Sequence, residues 1–150
     1  MPLLVVPAPE YLDGCAEALA RGWSPNTTRP EAAQEELQAL RTDAASYLAL
    51  GNDPLGAGPS VTLPDGRSVP RLPGLKRWMW ADGFCGSINL RWQAGTTELP
   101  PHCLGHIGYA VVPWRQREGH ATQALRELLP LARTAGLPHV DLTTDPPNLA

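Results

Sequence analysis

Apolar positions along the chain switch between helical and strand spacing, and the switches fall at prolines and glycines. Leu3, Leu4, Val5 and Val6 form a short apolar block that Pro7 ends, the pattern of a buried strand. Residues 10–21 put Leu12, Cys15, Ala16 and Leu19 on one helical face, and Gly22 stops that helix. A second helix begins at Pro30, which suits a first turn, with Glu31, Glu35 and Glu36 near its positive end. Leu37, Leu40, Ala44, Tyr47 and Leu48 keep helical spacing as far as Gly51, so one continuous helix is expected. In residues 51–74 glycines alternate with prolines. Pro64, Asp65 and Gly66 read as a turn, with a small hairpin expected between residues 61–63 and 68–69. So long an irregular stretch is usually functional or disordered, and a substrate-facing lid and a solvated linker both remain open.

Residues 75–81 and 84–92 read as strands joined by Asp82 and Gly83, a strong hairpin signal. Alternation puts Phe84, Gly86, Ile88, Leu90 and Trp92 on one face of the second strand, and Cys85, Ser87, Asn89 and Arg91 on the other. Residues 93–104 connect to a strand at 105–112, broken by Pro113. A helix starts near Gly119 with Leu125, Leu128, Leu129 and Ala132 on one face, and Gly136 suits its C′ position. Pro130 falls inside this helix, where it removes one hydrogen bond and crowds the Arg126 carbonyl at about 3 kcal/mol, so a kink is expected. Residues 140–144 form a last strand, followed by Asp145, Pro146, Pro147 and Asn148.

Composition narrows the class. At 150 residues the chain is read as one domain with a real core, and 43% hydrophobic content is ordinary for a globular protein. A net charge of −3 gives no nucleic-acid or membrane surface. There is no run of about 18 apolar residues for a membrane span, and the first residues lack a basic export signal. Three cysteines, Cys15, Cys85 and Cys103, form no CxxC pair, which favours reduced thiols and a cytoplasmic location.

The chemistry concentrates at residues 105–135: a buried strand, a proline break, an Arg-rich loop and a helix. The first turn of a helix carries N–H groups with no intrahelical partner, and the macrodipole adds about half a positive charge. Gly119 lets a ligand approach the backbone, and Ala121 keeps the next turn small. Other phosphate loops fail, since neither GxxxxGK(S/T) nor GxGxxG occurs.

Val111, Val112 and Pro113, then Gln116, Arg117, Glu118, Gly119, His120, Ala121 and Thr122, then Ala124 and Leu125 resemble the acetyl-CoA signature of the GNAT superfamily of N-acetyltransferases. The element order also matches: strand, two helices, a three-strand meander, a long helix and a further strand. The resemblance implies a mixed α/β fold (β-α-α-β-β-β-α-β) with a mostly antiparallel, twisted central sheet flanked by helices. It implies an acyltransferase that uses acetyl-CoA as co-substrate and needs no metal. The backbone of Ala110, Val111 and Val112, at a bulge in the strand, would pair with the pantetheine arm. The amides of residues 117–122 would hold the pyrophosphate, with Arg115 and Arg117 near the outer phosphates. Asn148 matches an Asn common at the family's next turn. A primary amine, on a small molecule or a protein, would attack the thioester directly. No nucleic acid or membrane is implied, and a homodimer is compatible.

Two departures stand out. Glu118 replaces a residue that is often basic, and its side chain is expected to turn to solvent. The family fold usually continues with a helix, which often supplies a Tyr acid, and two more strands. We therefore expect a fragment of a longer protein or a domain completed by another chain, and no robust activity from these residues alone. The alternative function is a non-catalytic acyl-CoA-binding or interaction module.

Candidates for the base are His102, His106, Glu98, Asp82 and Tyr109. His106 and Tyr109 are carried forward as catalytic candidates, although a buried structural His and a core aromatic are the competing readings. His102, Cys103, His106 and His120 supply too few well-spaced ligands for zinc, so no metal is expected. Arg91 is read either as the anchor of an acidic acceptor or as a surface ion pair. Trp78, Trp80 and Trp92 are read as packing.

Overall fold

The computed structural model describes residues 3–25, 29–63, 65–93, 96, 98–99 and 105–137. The last strand expected at 140–144, together with His102, Cys103 and Asn148, lies outside the described residues. An antiparallel sheet is built on the hairpin of β5 (Gly74–Trp80) and β6 (Phe84–Arg91). On one side, β1 (Leu4–Val5) pairs with the Trp78–Met79 end of β5, and β2 (Asn52–Asp53) pairs with its Gly74–Leu75 end. On the other side lies β7 (Ile107–Val111), so the path is β1-β5-β6-β7. Between β2 and β5, β3 (Val61–Thr62) and β4 (Ser68–Val69) form the small hairpin that the Pro-Asp-Gly turn predicts.

Among the described residues four helices flank the sheet: α1 (Leu12–Ala20), α2 (Ala32–Thr42), α3 (Ala44–Leu50) and α4 (His120–Thr134). On one face α1 and α2 bury Cys15, Leu19, Leu37 and Leu40 against Trp78, Phe84, Ala110 and Val112. On the other, α4 buries Ala124, Leu128 and Ala132 against Met79, Cys85, Ile88, Leu90 and Ile107. Burying each of the larger side chains contributes about 1.5–3 kcal/mol. The tryptophans pack as read: Trp78 and Trp92 are buried, and Phe84 meets Trp78 and Trp23 edge-on at centroid distances of 5.8 and 5.2 Å.

Four sequence expectations change. The helix expected from Pro30 to Gly51 is two helices. Asp43 (φ −154°, ψ 88°) breaks it, and its carboxylate accepts from the Ser46 N–H at 3.2 Å to cap α3. Strict alternation along β6 fails at its start. Trp80 pairs with Phe84 but Met79 pairs with Gly86, so Cys85 is an extra, bulged residue. Phe84 thus faces α1 and Cys85 faces α4, whereas Ile88 and Leu90 also face α4. Gly86 makes this possible: its φ is +149°, and a Cβ there would collide with the Ala110 carbonyl oxygen. Leu129 is 40% exposed, because the buried stripe of α4 runs through Ala124, Leu128 and Ala132 at four-residue steps. Finally, the bulge expected in the strand of Ala110 to Val112 is absent, since β6 and β7 pair without a shift from Gly86↔Val111 to Leu90↔Ile107.

The end of α4 follows expectation. Gly136 (φ +93°) donates to the Arg133 carbonyl and Leu137 to the Ala132 carbonyl, the paired bonds of a Schellman motif. Pro130 sits within the continuous helix on its exposed side, where water can serve the Arg126 carbonyl it leaves unpaired.

Candidate active site

The site is built where β7 runs into α4. Pro113 starts a single 3-10 turn through Arg115, closed by the Arg115 N–H on the Val112 carbonyl at 3.0 Å. The chain then curls through two left-handed residues, Arg117 (φ 65°) and Gly119 (φ 81°). Gly119 accepts the first helical bond of α4, from the Gln123 N–H at 3.1 Å, and no side chain caps the helix. The N–H groups of His120, Ala121 and Thr122 therefore have no intrahelical acceptor. These residues line a cleft of about 260 Å³ together with Tyr109, Val111, Arg115, Gln116, Arg117 and Gly119. A Cβ at Gly119 would meet nothing within 4 Å, so the backbone faces open space there.

The register of β7 decides which of its backbone groups reach the cleft. Arg91 donates to the His106 carbonyl and Val112 donates to the Cys85 carbonyl, at 2.8 and 2.9 Å. In an antiparallel ladder such pairs recur every second residue. His106, Gly108, Ala110 and Val112 thus turn their N–H and C=O toward β6. Tyr109 and Val111 turn theirs to the opposite edge, where no described strand lies.

The charged groups beside the cleft form a chain. Arg115 donates through Nη2 to the Ala81 carbonyl at 2.7 Å, tying the hairpin turn to the loop. Glu118 is exposed, as expected, and it also makes two contacts. Its Oε1 lies 3.0 Å from His120 Nε2 and 3.3 Å from Arg115 Nε. The hydrogen bond from His120 and then that from Arg115 hold the Glu118 carboxyl below its usual range. Arg117 is exposed and has no carboxylate partner among the described residues.

Of the residues singled out in the sequence, Val111, Arg115, Gln116, Arg117, Gly119, His120, Ala121 and Thr122 meet in this one cleft. Glu118 stands at its rim, while the side chains of Ala110 and Val112 are buried in the core beneath α1. Among the candidate bases, Tyr109 lines the cleft; His106 is fully buried and does not line it. Asp82 and Glu98 are both exposed and line no part of it. Among the described residues, no three His, Cys, Asp or Glu side chains come together, and no helix is long and apolar enough to cross a membrane.

Two features escaped the sequence. One is a polar chain under α2: Tyr47 donates to Glu36 Oε1 at 2.8 Å, Lys76 meets the same oxygen at 3.3 Å, and Cys15 lies 4.0 Å from the Tyr47 hydroxyl. Burial pushes the Cys15 thiol up to about 12 and the Tyr47 hydroxyl well above its ordinary value. Cys15 is therefore a protonated, structural thiol at neutral pH. The other is a second cavity of about 250 Å³ at the far end of β5 and β6, whose residues are scattered from Leu50 to Arg91. The pairing of β2 and β6 with β5, and of β3 with β4, brings them together.

No curated protein and no solved structure matches the chain. A model of the acetyltransferase (GNAT) family matches residues 67–150. That span exceeds half the chain and contains β5, β6, β7 and α4, and with them every residue that lines the cleft. With its antiparallel sheet and flanking helices, the chain belongs to the GNAT family of acetyltransferases.

Proposed function

We propose that the chain binds acetyl-CoA in the cleft between β7 and α4 and transfers the acetyl group to a primary amine. One observation carries this reading: a helix N-terminus without a side-chain cap opens its N–H groups into a cleft beside a strand edge that no described strand covers. Such N–H groups and the helix dipole suit a pyrophosphate. The amides of residues 117–122 hold it, and Arg115 and Arg117 meet the outer charges. The amide groups of the pantetheine arm suit the outward N–H and C=O of Tyr109 and Val111, in the manner of an added strand.

Transfer is direct. The amine nitrogen attacks the thioester carbonyl, a C–N bond forms, the C–S bond breaks and the thiolate leaves. The proton lost by the amine passes to a base, and the thiolate takes up a proton. Tyr109 is the titratable side chain of β7 that lines the cleft, and we assign it to proton transfer; the buried His106 is the competing assignment. A pH–rate profile separates them. Tyr109→Phe lowers kcat by about 10-fold or more under the first assignment, whereas a flattened profile in His106→Ala supports the second.

The cofactor assignment is tested by melting. At about 100 times its Kd, acetyl-CoA stabilises the folded chain by about 2.7 kcal/mol, or roughly 5–10 °C in a domain of this size. An unchanged melting temperature at saturating acetyl-CoA overturns it.

A further inference from the structure

We infer that the second cavity is the acceptor site and that it selects a small amine carrying a carboxylate, with Arg91 as the residue that reads the carboxylate. The inference rests on the acetyl-CoA reading of the first cleft.

The cavity has three cations, and two are already balanced. Arg71 lies 3.3 Å from the Asp53 carboxylate, and Lys76 lies 3.3 Å from Glu36. Arg91 uses its Nε on the Gly105 carbonyl at 2.9 Å and has no carboxylate partner among the described residues. Among the described residues its two terminal nitrogens have no partner, and they keep the fork geometry that matches a carboxylate. Two positions back on the same face, the Asn89 amide makes no hydrogen bond among the described residues. Both groups border the cavity.

Glycines keep the space over them open. Gly74 stands opposite Arg91 on β5 and Gly108 opposite Asn89 on β7. A Cβ at Gly108 would lie 3.0 Å from the Asn89 side-chain oxygen. Gly108 also precedes Tyr109, which lines the first cleft. Strand pairing thus sets Asn89 beside Gly108, the residue before Tyr109 on β7. The charge and size together choose the class. One unbalanced guanidinium calls for one anionic group, and a space of about 250 Å³ is smaller than the pockets that take drug-sized ligands, about 300–1,000 Å³. Leu50 and other apolar residues line the rest and accept a modest side chain. In the transfer, the nitrogen of this amino acid bonds to the acetyl carbon as the thiolate leaves, and the carboxylate takes no part.

The test compares acids with their neutral counterparts. Acetyl transfer is measured with L-methionine, L-phenylalanine and L-glutamate, each beside its α-carboxamide. We expect the acid to exceed the amide in kcat/KM by at least about 10-fold. Arg91→Gln removes that ratio, Arg91→Lys keeps part of it, and both leave the calorimetric affinity for CoA unchanged. Where turnover is slow, the same ratio is read from binding of acid and amide to the CoA-loaded chain. Equal values for acid and amide in the wild type, or an undiminished ratio in Arg91→Gln, overturn the inference while CoA still binds. A wild-type chain that does not bind CoA overturns the cofactor reading, and this inference falls with it.

Discussion

At the α4 end of β7 the cleft is made of backbone: the outward groups of Tyr109 and Val111, the left-handed turns at Arg117 and Gly119, and the N–H groups of His120 to Thr122, which have no intrahelical acceptor. At the other end the cavity is made of side chains, Arg71 and Lys76 on one segment and Asn89 and Arg91 on another, which meet through strand pairing. A backbone site tolerates many side-chain changes, yet it fails when a backbone angle or a small volume is altered. A side-chain site has the opposite weakness. It keeps its shape through many backbone adjustments and loses its selectivity with one charge.

The largest effect is expected where both ends depend on one contact. Gly86→Val adds a Cβ against the Ala110 carbonyl at a φ of +149°, forcing β7 away from β6. Strain and overpacking together cost about 2–5 kcal/mol, and denaturant melts should show it; wild-type stability would mean that the pairing is not what holds β7. Gly119→Glu is next and separates the ends. It fills the open space at the helix N-terminus, and calorimetry should show at least about 100-fold weaker CoA binding, or about 2.8 kcal/mol. Binding of the amine to the far cavity should survive, and unchanged CoA affinity would end the backbone-cradle assignment.

Glu127→Ala should be smaller and should touch neither end directly. This α4 carboxylate accepts from the N–H groups of Leu3 and Leu4 at 2.8–3.0 Å, pinning the helix to β1. Leaving those donors without an acceptor costs about 1–3 kcal/mol, seen as a lower Tm with CoA affinity retained. Burial pulls this carboxyl up, but the Leu4 and Leu3 N–H groups more than offset it and hold it below the ordinary value. Its contribution is therefore present above the ordinary glutamate range, near pH 4.3, and is lost as the pH falls through the lower folded value. The alanine variant should lack that part of the acid destabilisation. Glu118→Gln is the smallest, about 2- to 5-fold tighter CoA binding, because the neutral amide repels phosphate less; weaker binding would mean that Glu118 orders the loop instead.

What the sequence reveals follows the same division. The backbone site leaves marks in single residues: Pro113 breaks a strand, Gly119 supplies a left-handed angle, and Asp82 with Gly83 turns the hairpin. Such angles have few residues that satisfy them, so they can be read locally. The side-chain site leaves no local mark, since Asp53, Arg71, Lys76 and Arg91 look like ordinary surface charges until β2 and β6 pair with β5. The bulge at Cys85 was hidden because both alternation phases place an apolar residue inside, Phe84 on one face and Cys85 on the other. The break at Asp43 was hidden because the apolar spacing continues across it; its cue was the Asp-x-x-Ser pattern, which caps a new helix rather than continuing the old one.

The contacts of Glu118 have one further consequence. With its carboxylate on Arg115 and His120, the cradle already holds an anion of its own before any ligand arrives. Binding of a phosphate there would be an ion exchange: an internal counter-charge would be released as an external one entered. Added salt screens the incumbent and the newcomer alike. Affinity at this mouth should therefore vary less with ionic strength than its count of cations suggests, and the strong salt dependence of an open cation site should appear only once Glu118 is made neutral.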